Sequence, residues 1–220
     1  MDTFRDRADA GRRLADQLGG YKADRPIVLA LPRGGVVTAF EIAKALHAPL
    51  DVIVVRKLGA PAQPEFGVGA IAPAGVQIVD RESMRLAGMD EEDLGRVVQR
   101  ETAELRRRER TYREGRAPLD VRGRTVILVD DGIATGVTVR AAIASLRKSG
   151  AGRVVLAVGV CPPRTAARLR AEVDDLVCPL MPEDLEAVGL YFDDFAQVED
   201  EDVVALLARA ATVETETVRT

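Results

Sequence analysis

The chain has 220 residues, a formal net charge of −4, 47% hydrophobic and 30% charged residues. This is the balance of one water-soluble domain with a full core, and it excludes a globally basic nucleic-acid surface. No apolar run approaches the roughly 18 residues of a membrane span. The charged start Met-Asp-Thr-Phe-Arg-Asp-Arg lacks the apolar centre of a secretory signal, so a cytoplasmic location is expected.

In chain order, Phe4, Ala8, Gly11, Ala15 and Leu18 recur at helical spacing until Gly19-Gly20 ends the pattern. Residues 26–31 read as a short buried strand, broken by Pro32-Arg33-Gly34-Gly35. A helix is expected over 36–47, with Phe40, Ala43 and Leu46 inward, and a second strand over 50–55. Residues 56–80 are rich in Pro and Gly. They suggest a mobile arm carrying a hairpin, with extended pieces at 66–72 and 76–80. A long charged helix follows at about 90–112. Strands at 125–129, 154–160 and 176–180 alternate with helices at 138–149, 164–172 and 201–211. The polar tail 212–220 has no periodicity and is expected to fray.

Alternation of near-continuous apolar strands with helices predicts an α/β fold, a Rossmann-like parallel sheet with flanking helices. A single domain is expected over residues 1–211. Ligands of such sheets sit outside the C-terminal strand ends, which gathers the loops after residues 31, 55, 129 and 160 on one rim.

The two cysteines, Cys161 and Cys178, end apolar runs and are expected to be reduced and buried. A single histidine, His47, argues against a histidine zinc site and against Ser-His or Cys-His chemistry.

Residues 126–138 carry the strongest signal. Four apolar residues run into Asp130 and Asp131, then Gly132, Ile133, Ala134, Thr135, Gly136, Val137 and Thr138 lead into a helix. A strand–loop–helix of this kind presents unpaired N–H groups at the positive end of a helix dipole, which suits a phosphate. Carboxylates beside it suit hydroxyls or Mg²⁺. One ligand needs both, a sugar phosphate with free hydroxyls.

The stretch closely resembles the phosphoribosyl-pyrophosphate (PRPP) motif of type I phosphoribosyltransferases. The resemblance implies that fold and a Mg²⁺-dependent transfer of the 5-phosphoribosyl group of PRPP to a nitrogen acceptor, with release of pyrophosphate. It assigns Asp130 and Asp131 to the ribose hydroxyls, directly or through Mg²⁺, and residues 132–138 to the 5′-phosphate. Arg33, Gly34 and Gly35 resemble the family's pyrophosphate loop. Arg56 and Lys57 stand where the family often has a basic pyrophosphate contact, Lys57 being the preferred one. The arm that follows looks like a lid. A variable hood near the C-terminus, here 181–198, often covers the acceptor, so Tyr191 and Phe192 could stack on a base or could anchor the last helix. More specifically, the chain resembles a group of bacterial phosphoribosyltransferase-domain proteins without an assigned acceptor.

Ala134 departs from the pattern of hypoxanthine–guanine enzymes, which carry an acid at that point of the motif. Adenine and uracil enzymes also carry Ala, so a 6-oxopurine acceptor is disfavoured. A PRPP-binding regulator without turnover stays open as the alternative. A plain nucleotide-binding crossover protein does not, since neither Gly-x-x-x-x-Gly-Lys-Ser/Thr nor Gly-x-Gly-x-x-Gly occurs.

In the charged helix, Arg106, Arg107, Arg108, Arg110 and Arg113 interleave with Glu101, Glu104 and Glu109. The mixed signs point to a solvated salt-bridged face rather than a nucleic-acid patch. Leu94, Val98, Leu105 and Tyr112 lie four and seven apart and could serve a homodimer.

Overall fold

The computed structural model describes residues 2–217. Its centre is a parallel sheet of β1 (Ile27–Ala30), β2 (Leu50–Val52), β6 (Thr125–Gly132), β7 (Arg153–Val160) and β8 (Asp175–Val177), in the order β2-β1-β6-β7-β8. Alternate residues of each strand face opposite layers. Val28 and Ala30 of β1, with Ile127 and Val129 of β6, meet α1 (Arg7–Leu18), α2 (Gly34–Leu46) and α7 (Asp200–Thr217) through Leu14, Leu18, Phe40, Ile42, Val203 and Leu207. Ile27 and Leu29, with Val126 and Leu128, meet α5 (Val137–Lys148) and α6 (Pro163–Arg170) through Val139, Ile143, Leu146 and Leu169.

The chain steps outward from β1 to β2, returns across β1 to β6, and continues outward to β7 and β8. The order reverses between β1 and β6, and such a switch point opens a crevice at the carboxyl ends of the two strands. The loops issuing there are 32–35 and 130–138.

A second sheet, antiparallel, contains β3 (Arg56–Ala60), β4 (Gln63–Ala72) and β5 (Val76–Val79). The expected hairpin is β4–β5, but β3 joins it, and the base of the arm is packed rather than free. Leu58, Val68 and Ile71 share a core with Leu94, Val97 and Leu105 of α4 (Glu91–Arg113), and Ala70 and Ala72 rest on Ala141 of α5. Only the tip, residues 61–65, is exposed throughout.

Several boundaries move. The first helix starts at Arg7, where Asp6 caps it by accepting from the Asp9 N–H. The second expected strand ends at Val52, and β6 extends through the acids to Gly132. A short helix α3 (Arg81–Leu86), capped by Asp80, has no counterpart among the expected elements. The terminal helix runs on to Thr217, beyond the expected stop at 211, and residues 218–220 of the tail lie outside the described residues.

The apolar residues of α4 turn inward. Leu94 and Leu105 are buried, Tyr112 is fully buried, and Val98 packs on the same core. The face that could have served a homodimer is therefore used inside the chain. The arginines of α4 are partly spent on local pairs. Arg107 and Arg108 both bind Glu104, and their hydrogen bonds hold Glu104 down at about 2. Arg113 folds back onto Asp51 at 3.0 Å. Cys161 and Cys178 are free and buried, and burial pushes the thiols up to about 11 and about 12. No helix among the described residues is long and apolar enough to cross a membrane.

Candidate active site

A cavity of about 330 Å³ opens at the switch point. It is lined by Pro32, Arg33, Gly34, Lys57, Asp130, Asp131, Thr135, Thr138, Val188 and the backbone between the acids and α5. Three loops far apart in sequence thus meet in one space. β1 and β6 are direct neighbours, and the Leu31 N–H donates to the Val129 carbonyl at 2.9 Å, so the segments leaving them emerge side by side.

Gly136 stands at the cap of α5 with φ 82° and ψ 4°, a left-handed conformation that disfavours a Cβ. It turns the chain into α5 at the cavity, which Gly136 and Thr138 line, and the first N–H groups of the helix have no intrahelical partner. The loop is pinned from outside, where the Thr165 hydroxyl donates to the Ala134 carbonyl at 2.8 Å. α2 also starts at the cavity wall, at Gly34, after a cis peptide between Pro32 and Arg33. Two helix N-termini, the Lys57 ammonium and the Arg33 guanidinium therefore surround one space, and that arrangement favours an anion carrying more than one phosphate.

The two acids differ. Asp130 accepts from the Asp131 N–H at 3.0 Å. Burial, and then the neighbouring charge of Asp131, hold Asp130 well above the usual carboxylate range. Asp131 instead binds Arg7 of α1, Nε to Oδ2 at 2.6 Å. Nothing in the charged N-terminal run singled Arg7 out, because its partner is 124 residues away.

A family model described as the phosphoribosyl transferase domain matches residues 2–193. The chain belongs to the phosphoribosyl transferase domain family. A Mycobacterium tuberculosis protein provisionally named a phosphoribosyl transferase is 45% identical over 210 residues, covering 96% of this chain and 47% of the relative. The chain thus spans about half the length of these curated relatives. The solved structure of TT1426 from Thermus thermophilus is 43% identical, with a TM-score of 0.79, and covers 95% of this chain and 99% of that one. A uracil phosphoribosyltransferase from a Nocardioides species is 30% identical over 141 residues, which is 60% of this chain and 61% of the relative.

Within this phosphoribosyl transferase domain, not every expected residue reaches the cavity. Lys57 does, but Arg56 does not. They are successive residues of β3, so their side chains leave opposite faces. Arg56 turns to α4, where its Nη2 lies 2.8 Å from buried Glu101. Arg33 lines the cavity while also pairing with Glu199 at 3.3 Å and Asp200 at 3.6 Å.

Tyr191 and Phe192 are not stacking surfaces. They are only 5% and 6% exposed and belong to a small core with Phe4, Val160 and Leu180. The Phe4 and Phe192 rings stand 5.2 Å apart, and the two backbones are bridged by the Phe4 N–H to Tyr191 carbonyl bond at 2.9 Å. Their burial anchors the hood to the chain's N-terminal segment. The hood's contribution to the cavity is Val188, an aliphatic residue without a motif to mark it.

Among the described residues no group of three or more His, Cys, Asp or Glu is placed to hold a metal. One oxygen of each acid is already engaged, so the pair fits a cation carried mainly by substrate and water rather than a protein cage.

Proposed function

We propose that the domain transfers the 5-phosphoribosyl group of PRPP to a nitrogen acceptor, a nucleobase, releasing pyrophosphate. The observation that carries this reading is the single cavity shared by the loops 130–138 and 32–35 and by Lys57. A phosphate alone would need one helix N-terminus. Two, with two cations and a pair of acids between them, suit a ligand with phosphates at both ends and hydroxyls in the middle. Residues 132–138 would take the 5′-phosphate, Asp130 and Asp131 the ribose hydroxyls, and Arg33, Gly34, Gly35 and Lys57 the pyrophosphate.

Displacement at C1 of the ribose develops positive charge on the sugar and negative charge on the leaving group. The protein acts by positioning and electrostatics: Lys57, Arg33 and the α2 N-terminus face the departing pyrophosphate, while the phosphate loop holds the sugar. Bound Mg²⁺ would add charge neutralisation on the pyrophosphate, next to Asp130 and Asp131. Ala134 leaves no acid just before Thr135-Gly136 to serve a 6-oxopurine ring. That absence and the Nocardioides relative favour an acceptor of the uracil or adenine type over a 6-oxopurine.

The test is pyrophosphate release from PRPP across a nucleobase panel, with and without Mg²⁺. Release with one base names the acceptor. PRPP binding without release from any base supports a regulator, the reading that the absence of a recognisable general base in the cavity favours.

A further inference from the structure

Arg7 lies outside the cavity lining, yet it is held by several contacts beside it. Its side chain is 11% exposed. Nε donates to Asp131 Oδ2 at 2.6 Å, Nη1 donates to the Ala196 carbonyl at 2.7 Å, and the guanidinium carbon stands 3.7 Å from the centre of the Phe195 ring. The Arg7 backbone is tied to α2, where the Thr38 hydroxyl donates to its carbonyl at 3.3 Å. A planar guanidinium suits this set, because one face stacks while the edges donate in fixed directions.

Gly34 makes the pair sterically allowed. A Cβ at that position would fall 2.0 Å from Asp131 Oδ2 and 2.8 Å from Arg7 Nε. The loop 32–35 therefore has a second requirement for glycine, besides freeing its amides. Helix α1 supplies the guanidinium, Gly34 leaves it room, and the segment 195–196 holds it against one oxygen of Asp131, a residue that also lines the cavity.

We propose that Arg7 is a positioning residue of the sugar-phosphate site: it fixes the Asp131 carboxylate toward the ribose hydroxyls and ties that orientation to the hood segment at 195–196. This rests on the PRPP reading above. Arg7 acts through Asp131 and does not itself touch the sugar. A merely structural Arg7 would lower stability alone, whereas a positioning Arg7 lowers ligand affinity and couples energetically to Asp131.

PRPP is titrated calorimetrically, with Mg²⁺, into the wild-type chain, Arg7→Gln, Arg7→Lys, Asp131→Asn and the double variant Arg7→Gln/Asp131→Asn, and each protein is melted. Arg7→Gln is expected to weaken PRPP by about tenfold or more. Arg7→Lys should fall between it and wild type. The double variant should be no weaker than Asp131→Asn alone, because the two changes remove one arrangement. Should Arg7→Gln fail to fold, Phe195→Leu removes the stacking face and is expected to weaken PRPP by about threefold. Wild-type binding with unchanged affinity in the folded Arg7 and Phe195 variants overturns the positioning role and leaves the site intact. Multiplying losses in the double variant overturn it too. A wild-type chain that does not bind PRPP overturns the site reading itself, and this proposal with it.

Discussion

The phosphate loop and the hood line the same cavity, Val188 of the hood lying close against Gly132, but they are built differently. The loop is written locally: a strand end, two acids, a left-handed glycine and a helix start all lie within residues 130–138, although Arg7 and Thr165 brace it from outside. The hood is long-range. It reaches the cavity through Val188, anchors itself by Phe192 on Phe4, and is linked to Asp131 through Arg7. A site can thus have one half encoded in a motif and the other half encoded in packing.

The largest effect should come from the local half. Asp130→Asn with Asp131→Asn is expected to abolish detectable PRPP binding while the protein stays folded, checked by calorimetry beside circular dichroism. Undiminished affinity would show that the acids do not face the ligand.

The two cations of β3 separate ligand from scaffold. Lys57→Ala should weaken PRPP by about tenfold with little change in melting temperature. Arg56→Ala should do the opposite, costing about 1–2 kcal/mol because buried Glu101 loses a partner, with PRPP affinity close to wild type. Denaturant unfolding and calorimetry on both variants decide it; matching effects would mean both side chains share a face.

Gly136→Ala should cost about 1 kcal/mol of stability, from the left-handed backbone at φ 82°. It should weaken PRPP as well, since the turn aims the amides. Loss of stability without loss of affinity would detach the turn from the ligand.

The smallest effect concerns the contact between α4 and α7. Tyr112, fully buried, donates to Asp200 at 2.7 Å, and Asp200 also pairs with Arg33. Burial, then that hydrogen bond to Asp200, pushes Tyr112 up from 10.0 to about 12. The raised value favours the neutral form in the folded state. Its stabilisation is complete below pH 10 and is lost as pH rises from 10 to about 12. Tyr112→Phe should cost about 1 kcal/mol at neutral pH and flatten the alkaline limb of a stability–pH curve. An unchanged alkaline limb would mean that another group controls it.

Much of this was legible in the chain itself, and the failures share a cause. Strand–helix alternation carried the parallel sheet, and the run from Val126 to Thr138 carried the loop, because both are written in neighbouring residues. By resemblance Lys57 is the preferred pyrophosphate contact and Arg56 the second; β3 puts them on opposite faces, and only Lys57 lines the cavity. Tyr191 and Phe192 could have stacked on a base or anchored the last helix; they anchor instead to Phe4, at the far end of the chain. The apolar positions of α4 left a homodimer contact open because their partners, Leu58, Val68 and Ile71, lie in a Pro- and Gly-rich arm that reads as mobile apart from its hairpin. Arg7 had no local signal at all.

The most direct test of the shared cavity is phosphorus NMR of PRPP titrated with the protein in the presence of Mg²⁺. The 5′-phosphate resonance and both pyrophosphate resonances should shift together and saturate at the same protein concentration, as one ligand held at both ends requires. Movement of the 5′-phosphate alone, or of none of them, would contradict the account.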